Sequence, residues 1–215
     1  MKTGILFDLD GTLLDTLEDL LDATNYALTL CGYPQRTLKE LRRFVGNGAW
    51  NQIRMALPSG ASPEEIDRVL GVYKPYYTSH CQVRTRPYDG IPEALRALDA
   101  LGFPMAIVSN KPDAAVKRLC GDYFPGIFAM GETPSCPRKP APDMLRRAME
   151  AIQVDRCIYV GDSEVDILTA QNAKAPCVSV LWGFRDRDVL EENGAEHLCA
   201  SPALLPQIIR ELAEI

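Results

Sequence analysis

Histidine is nearly absent from this 215-residue chain, with His80 and His197 the only two. That excludes a His-rich metal centre, and a Ser-His-Asp triad would have to recruit one of them from an uninformative context. The seven cysteines (Cys31, Cys81, Cys120, Cys136, Cys157, Cys177 and Cys199) are odd in number and never in C-x-x-C spacing. Neither a disulfide framework nor a zinc site is indicated, and they read as reduced, small apolar residues. No apolar stretch approaches the roughly 18 residues of a membrane span, and acids interrupt the first apolar run where a signal peptide would continue. The expectation is a cytoplasmic protein with no membrane partner. A basic excess is lacking too: 23 Lys and Arg against 29 Asp and Glu give a net charge of -6. A body of that sign repels polyphosphate backbones, so nucleic acid is excluded as a general partner. Internal repeats and low-complexity segments are also missing.

What remains is an ordinary globular composition, 47% hydrophobic and 24% charged, long enough for one large domain or one domain carrying an insertion. Short apolar runs bounded by turn signals stand at Ile5 to Phe7, Met105 to Val108, Ile158 to Val160 and Val178 to Leu181. Helical stretches separate them: Pro92 to Leu101 closed by Gly102, Pro112 to Cys120 closed by Gly121, Asp143 to Ile152, and Asp166 to Ala173. This alternation predicts an α/β fold with a doubly wound, mainly parallel sheet, a Rossmann-like core. The stretch from Thr16 to Cys81 has helix signals without a strand. Thr37-Leu-Lys-Glu40 and Ser62-Pro-Glu-Glu65 read as capping boxes, and Leu17, Leu20, Leu21, Thr24, Leu28 and Cys31 line one face of a helix ended by Gly32. The predicted organisation is a core of residues 1–15 and 83–215 with a small α-helical insertion over 16–82.

Three apolar runs lead into polar clusters: Asp8-Leu9-Asp10-Gly11-Thr12, Ser109-Asn110-Lys111, and Gly161-Asp162-Ser163. In an open parallel sheet ligands bind beyond the carboxyl ends of strands, so these clusters are expected to share one crevice. Asp8 and Asp10, two apart at a strand end, point to the same side and repel. Either one carboxyl keeps its proton or a cation sits between them; oxygen ligands without His or Cys favour Mg²⁺, with Asp162 and Asp166 as further ligands of that type. Because Mg²⁺ commonly bridges carboxylates to a substrate phosphate, a phosphate ester is the natural substrate. Ser109 and Asn110 offer donors before a helix N-terminus. Thr12 adds a hydroxyl, Gly11 permits close backbone approach, and Lys139, between Arg138 and Pro140, is a compact cation suited to phosphate oxygens. An aspartate can itself attack phosphorus and split one difficult displacement into two.

At Asp8-Leu9-Asp10-Gly11-Thr12-Leu13-Leu14-Asp15-Thr16 the sequence resembles the haloacid dehalogenase superfamily of aspartyl-phosphate phosphatases. The resemblance continues in order through Val108-Ser109-Asn110-Lys111, Arg138-Lys139-Pro140 with Pro142-Asp143, and Tyr159 to Ser163 with Asp166. The helical insertion falls where that superfamily carries its first-type cap, and Pro87 to Ile91 and Leu181 to Phe184 are similar to its phosphoglycolate phosphatase branch. By this resemblance Asp8 is the nucleophile, and Asp10 the general acid and then the base. Mg²⁺ is held by Asp8, the Asp10 backbone carbonyl and Asp162, with Asp166 outside the direct ligands. Ser109 and Lys139 grip the phosphoryl group, and Thr12 and Asn110 also contact substrate. Ser109 stands where many relatives have Thr and keeps the hydroxyl.

The loop Gly46-Asn47-Gly48 resembles a cap loop that meets substrate, and Arg42, Arg43 and Arg54 nearby are candidates to receive a carboxylate. The implied reaction is Mg²⁺-dependent hydrolysis of a small phosphomonoester, 2-phosphoglycolate first, by a monomer or homodimer. A β-phosphoglucomutase-like mutase, a pyrophosphatase or a nucleotidase would use the same core. A receiver-like phosphorylation switch also accepts phosphate on Asp, but it predicts adjacent acids after the first strand and no inserted cap.

Overall fold

Alternate residues of the first strand bury themselves in opposite layers, and this sets the architecture. In the computed structural model, which describes residues 1–214, strand β1 (Thr3–Phe7) sends Ile5 and Phe7 into one apolar cluster and Leu6 into another. A strand buried on both sides needs apolar residues at every position, which is why it reads as a continuous run. Each such side chain contributes about 2 kcal/mol by leaving water.

The chain continues through β2 (Leu14–Asp15), four helices α1 (Leu17–Leu30), α2 (Leu38–Phe44), α3 (Gly48–Ala56) and α4 (Pro63–His80), and β3 (Arg86–Pro87). The remainder is α5 (Ile91–Ala100), β4 (Met105–Pro112), α6 (Asp113–Tyr123), β5 (Phe128–Glu132), α7 (Asp143–Ala151), β6 (Arg156–Gly161), α8 (Glu164–Ala173), β7 (Cys177–Val180), α9 (Arg187–Glu192), β8 (His197–Cys199), a short 3-10 turn at Pro202–Leu204, and α10 (Leu205–Ala213). Six strands form a parallel sheet in the order β5-β4-β1-β6-β7-β8. Residues of α7 and α8 pack in the cluster on Leu6, and those of α5, α6 and α10 pack in the cluster on Ile5 and Phe7. The expected doubly wound α/β fold is present.

The helical stretch leaves and re-enters the core through one antiparallel pair, Leu14 opposite Pro87 and Asp15 opposite Arg86. Asp19 ties the first turn of α1 to the returning chain by accepting from the backbone N–H groups of Arg84 and Thr85. Both predicted capping boxes form, at Thr37 with Glu40 and at Ser62 with Glu65.

Several boundaries differ from expectation. The edge strands β5 and β8 lack the β-branched run that marks the inner four. β5 alternates in burial and carries Gly131, where a Cβ would meet the Lys111 carbonyl at 2.5 Å. Strand β4 extends through Ser109, Asn110 and Lys111 to Pro112, so α6 begins one residue later than Pro112 and runs past Gly121 to Tyr123. Gly102 does follow α5, at φ 81°, which satisfies the left-handed exit from a helix. All seven cysteines are free thiols, five of them buried.

Candidate active site

The carboxyl ends of β1, β4 and β6 are neighbours in the sheet, and each delivers polar residues to one place. Asp8 follows β1 directly, its N–H bonded to the Val160 carbonyl at 2.8 Å. Asp162 follows β6, and Asp166 sits in the first turn of α8. Carboxylate oxygens of Asp8, Asp162 and Asp166 lie within 4.8 Å of one another, and all three residues are buried.

Lys139 holds this cluster together. Its buried ammonium lies 2.8 Å from Asp8 Oδ1, 2.8 Å from Asp166 Oδ1 and 2.9 Å from the Tyr159 hydroxyl, which uses all three of its N–H donors. Tyr159 donates to Asp166 Oδ1 at 3.0 Å, and Ser163 donates to Asp166 Oδ2 through its N–H (3.1 Å) and its hydroxyl (2.6 Å), closing a capping box on α8. Both oxygens of Asp166 are therefore engaged by protein donors. Asp162 accepts from the Phe184 N–H at 2.7 Å and from the Thr12 hydroxyl at 3.3 Å.

Burial sets the electrostatics. It lifts the Asp8 carboxyl to about 7, against the pull of Lys139 and with Asp166 and Asp10 adding to the rise. It pushes Asp162 well above the carboxylate range, reinforced by Asp166 and Asp8. Burial also opposes the charged form of Lys139, yet Asp166 and Asp8 more than offset it and hold the ammonium above its ordinary value. Three buried carboxylates are faced by one ammonium, and the donors are hard oxygens. That set fits a divalent cation of the Mg²⁺ type.

The carboxylate of Asp10 turns to a different partner. Lys111 Nζ donates to its two oxygens at 2.6 and 2.8 Å, and the Thr16 hydroxyl donates to Oδ1 at 2.7 Å. Asp8 and Asp10 line one cleft, as their spacing predicts, but only Asp8 joins the carboxylate cluster by its side chain. The cleft is also lined by Ser109, Asn110 and Lys111 of β4, by Gly46, Gly48 and Gln52 of the helical stretch, and by Tyr73 and Tyr77 of α4.

The remaining sequence-predicted residues divide. Asn110 clamps two loops, its amide donating to the carbonyls of Lys139 (2.9 Å) and Gly46 (3.2 Å) and accepting from the Lys139 N–H (2.9 Å). Gly46 and Gly48 reach the cleft, while Asn47 lines a separate surface groove with Pro140 and Glu164. The Thr12 hydroxyl faces Asp162 instead of the cleft. The arginines expected near a substrate carboxylate do not reach the cleft. Arg42 pairs with Asp186 at 3.0 Å, Arg54 bonds its neighbour Asn51, and Arg43 is exposed. The orientation of α2 and α3 against the core decides this, and nothing local in the sequence reports it.

Sequence reasoning placed Lys111, Tyr159 and Thr16 inside its motifs without giving them roles of their own, and passed over Tyr77 and Arg185. The signal for Lys111 was period two: in the extended end of β4 it stands two residues from Ser109 and shares its side.

A doubly wound sheet whose switch-point crevice gathers clustered carboxylates and a buried lysine has its candidate site where open α/β sheets bind ligands, beyond the carboxyl ends of the strands. Residues 5–180 match the haloacid dehalogenase-like hydrolase family, to which the chain belongs. It is similar to the phosphoglycolate phosphatases of Mesorhizobium japonicum (36% identity, covering 97% of this chain and 95% of the relative) and Rhodobacter capsulatus (35%, covering 86% and 87%). A solved structure from Lactobacillus delbrueckii subsp. bulgaricus, provisionally named a phosphoglycolate phosphatase, superposes with a TM-score of 0.92 at 37% identity over 97% of this chain and 99% of that one. The protein is a phosphatase, a hydrolase of the phosphoric monoester class. Among the described residues no helix is long and apolar enough to cross a membrane.

Proposed function

We propose that the protein hydrolyses a small phosphomonoester, 2-phosphoglycolate first among them, in the cytoplasm and through an aspartyl-phosphate on Asp8. The observation that carries this reading is the Lys139 ammonium 2.8 Å from Asp8, with Asp162 and Asp166 clustered beside it and Ser109 and Asp10 on the same cleft. The names of the relatives support the substrate.

In the first step an Asp8 carboxylate oxygen attacks phosphorus, the bond from phosphorus to the ester oxygen breaks, and Asp10 gives its proton to the departing alcohol. In the second step water attacks phosphorus, Asp10 takes the water's proton, and the Asp8–phosphorus bond breaks to release inorganic phosphate. Lys139 orients Asp8 and screens the oxygens of the transferring group, and the Ser109 hydroxyl donates to them. Asp8, Asp162 and the Asp10 carbonyl would hold Mg²⁺, which supplies neutralisation of the phosphoryl charge. The helical stretch acts as a cap whose loop at Gly46 and Gly48 covers the cleft and excludes bulk water.

The test is phosphate release with Mg²⁺ over a panel of 2-phosphoglycolate, sugar phosphates, nucleoside monophosphates and pyrophosphate. A preference for 2-phosphoglycolate of at least about a hundredfold in kcat/KM, ~2.7 kcal/mol, is expected. Asp8→Asn is expected to remain folded and release no phosphate, whereas appreciable turnover by that variant removes Asp8 as nucleophile.

A further inference from the structure

Tyr77 is a buried tyrosine of α4 whose hydroxyl has no hydrogen-bond partner among the described residues. A buried hydroxyl left in that state is costly, so native structures pair nearly all such groups. This one belongs to a residue that lines the same cleft as Asp8 and Ser109. Burial pushes its proton affinity well up, so it is a hydroxyl donor throughout the working pH range. The Lys111 ammonium stands 4.7 Å from the centre of the Tyr77 ring. That ammonium is itself buried and spends two of its three N–H donors on the two oxygens of Asp10. One N–H of Lys111 is thus not given to Asp10, its ammonium stands over the Tyr77 ring, and the Tyr77 hydroxyl is unpaired, with both residues lining the cleft.

We propose that Lys111 and Tyr77 form the subsite that reads the leaving half of the substrate, receiving a carboxylate between the ammonium and the phenol. Two donors from different side chains suit the two oxygens of one carboxylate, and burial strengthens both bonds. This rests on the phosphatase reading above, whose preferred ester, 2-phosphoglycolate, carries such a carboxylate, and it assigns the residues that would read that group. The arginines of α2 and α3 that the sequence offers for this task are engaged elsewhere or exposed. Lys111 has a further consequence for the chemistry. The same ammonium touches Asp10, so a carboxylate seated on it lies beside the group assigned to protonate the ester oxygen.

The experiment compares kcat/KM for 2-phosphoglycolate with that for 2-hydroxyethyl phosphate, an ester of similar size without the carboxylate, in the wild type, Tyr77→Phe and Lys111→Met. Tyr77→Phe keeps the ring and so the core packing. The wild type is expected to favour 2-phosphoglycolate, and that ratio is expected to fall about tenfold or more in each variant, the loss of a hydrogen bond to a charged group. A structural role would lower both esters alike and leave the ratio within threefold of the wild type, which would overturn the subsite. A wild type that hydrolyses both esters but does not discriminate them defeats the substrate reading and the subsite together, and a discriminating wild type with unmoved variants defeats only the subsite.

Discussion

Lys139 Nζ lies 2.8 Å from Asp8 Oδ1, with both side chains nearly sealed from solvent. The lysine comes from the loop before α7 and the aspartate from the end of β1, so this contact joins two parts of the core through one charge. It has an energetic consequence, because the same ammonium also neutralises Asp166.

Lys139→Met is expected to destabilise the protein by about 3 to 5 kcal/mol, the usual cost of leaving buried charge without its partner. Urea unfolding without divalent cations measures it. Combining Lys139→Met with Asp8→Asn removes one of the orphaned charges, so the double variant is expected to be more stable than the sum of the two separate single-variant effects predicts. Strict additivity would show that the pair is not coupled.

Asp8 makes a pH prediction with a definite sign. Its folded pKa, about 7, lies above the ordinary 3.8. A carboxyl raised in this way favours the folded state while it is protonated and gives that stability up as pH rises through the folded value. In chelator, the melting temperature of the wild type is expected to fall between about pH 4 and pH 7. Asp8→Asn is expected to melt several degrees higher than the wild type at pH 8, with the gap closing toward pH 4. Added Mg²⁺ is expected to raise the wild-type melting temperature more at pH 8 than at pH 5, since the cation competes with protons for the same oxygens. A gap independent of pH would remove the raised Asp8 from the account.

Arg185 fastens the helical stretch to the core. Its guanidinium donates to the carbonyls of Arg42 (2.8 Å) and Val45 (2.9 Å) at the end of α2 while paired with Glu164 of α8 at 2.7 Å. Arg185→Lys keeps the charge but loses the fork. Faster amide exchange across residues 38–48 and a rise of about threefold or more in KM are expected. Unchanged exchange in that segment would count against the fastening role.

Gly11 has φ 83°, and a Cβ there would run into the Asp162 carboxylate. Gly102 has nearly the same φ, 81°, with open space around it. Gly102→Ala is expected to cost only the left-handed backbone penalty, ~1 kcal/mol. Gly11→Ala carries that penalty and also displaces Asp162, so kcat/KM is expected to fall a hundredfold or more while Gly102→Ala stays within a few-fold of the wild type. Equal effects on activity would mean that Asp162 needs no close backbone approach.

Much of this was legible beforehand. The four inner strands announced themselves because burial on both faces demands unbroken apolar runs, and the two capping boxes because their bonds span three residues. The edge strands β5 and β8 were not legible, since a strand paired on one side has weaker compositional demands and Phe128 to Glu132 carries glycine where β-branched residues are usual. Gly121 misled as a helix stop because a glycine signals an end only where the chain turns left-handed, and α6 carries it without doing so.

The sequence by itself determined the alternation of strands and helices, the helical insertion, and the acids and lysine available at the strand ends. These follow from periods of 2 and 3.6 and from residue chemistry, which are local. Only the tertiary structure decided the partnerships. It gave Lys139 to Asp8 and Asp166, Lys111 to Asp10, and Thr12 to Asp162, and it turned Arg42 away from the cleft while placing Tyr77 on its wall. Each of these choices depends on where elements far apart in the chain come to rest against one another, and close packing of the two layers and the helical stretch, not the spacing of residues, sets those positions.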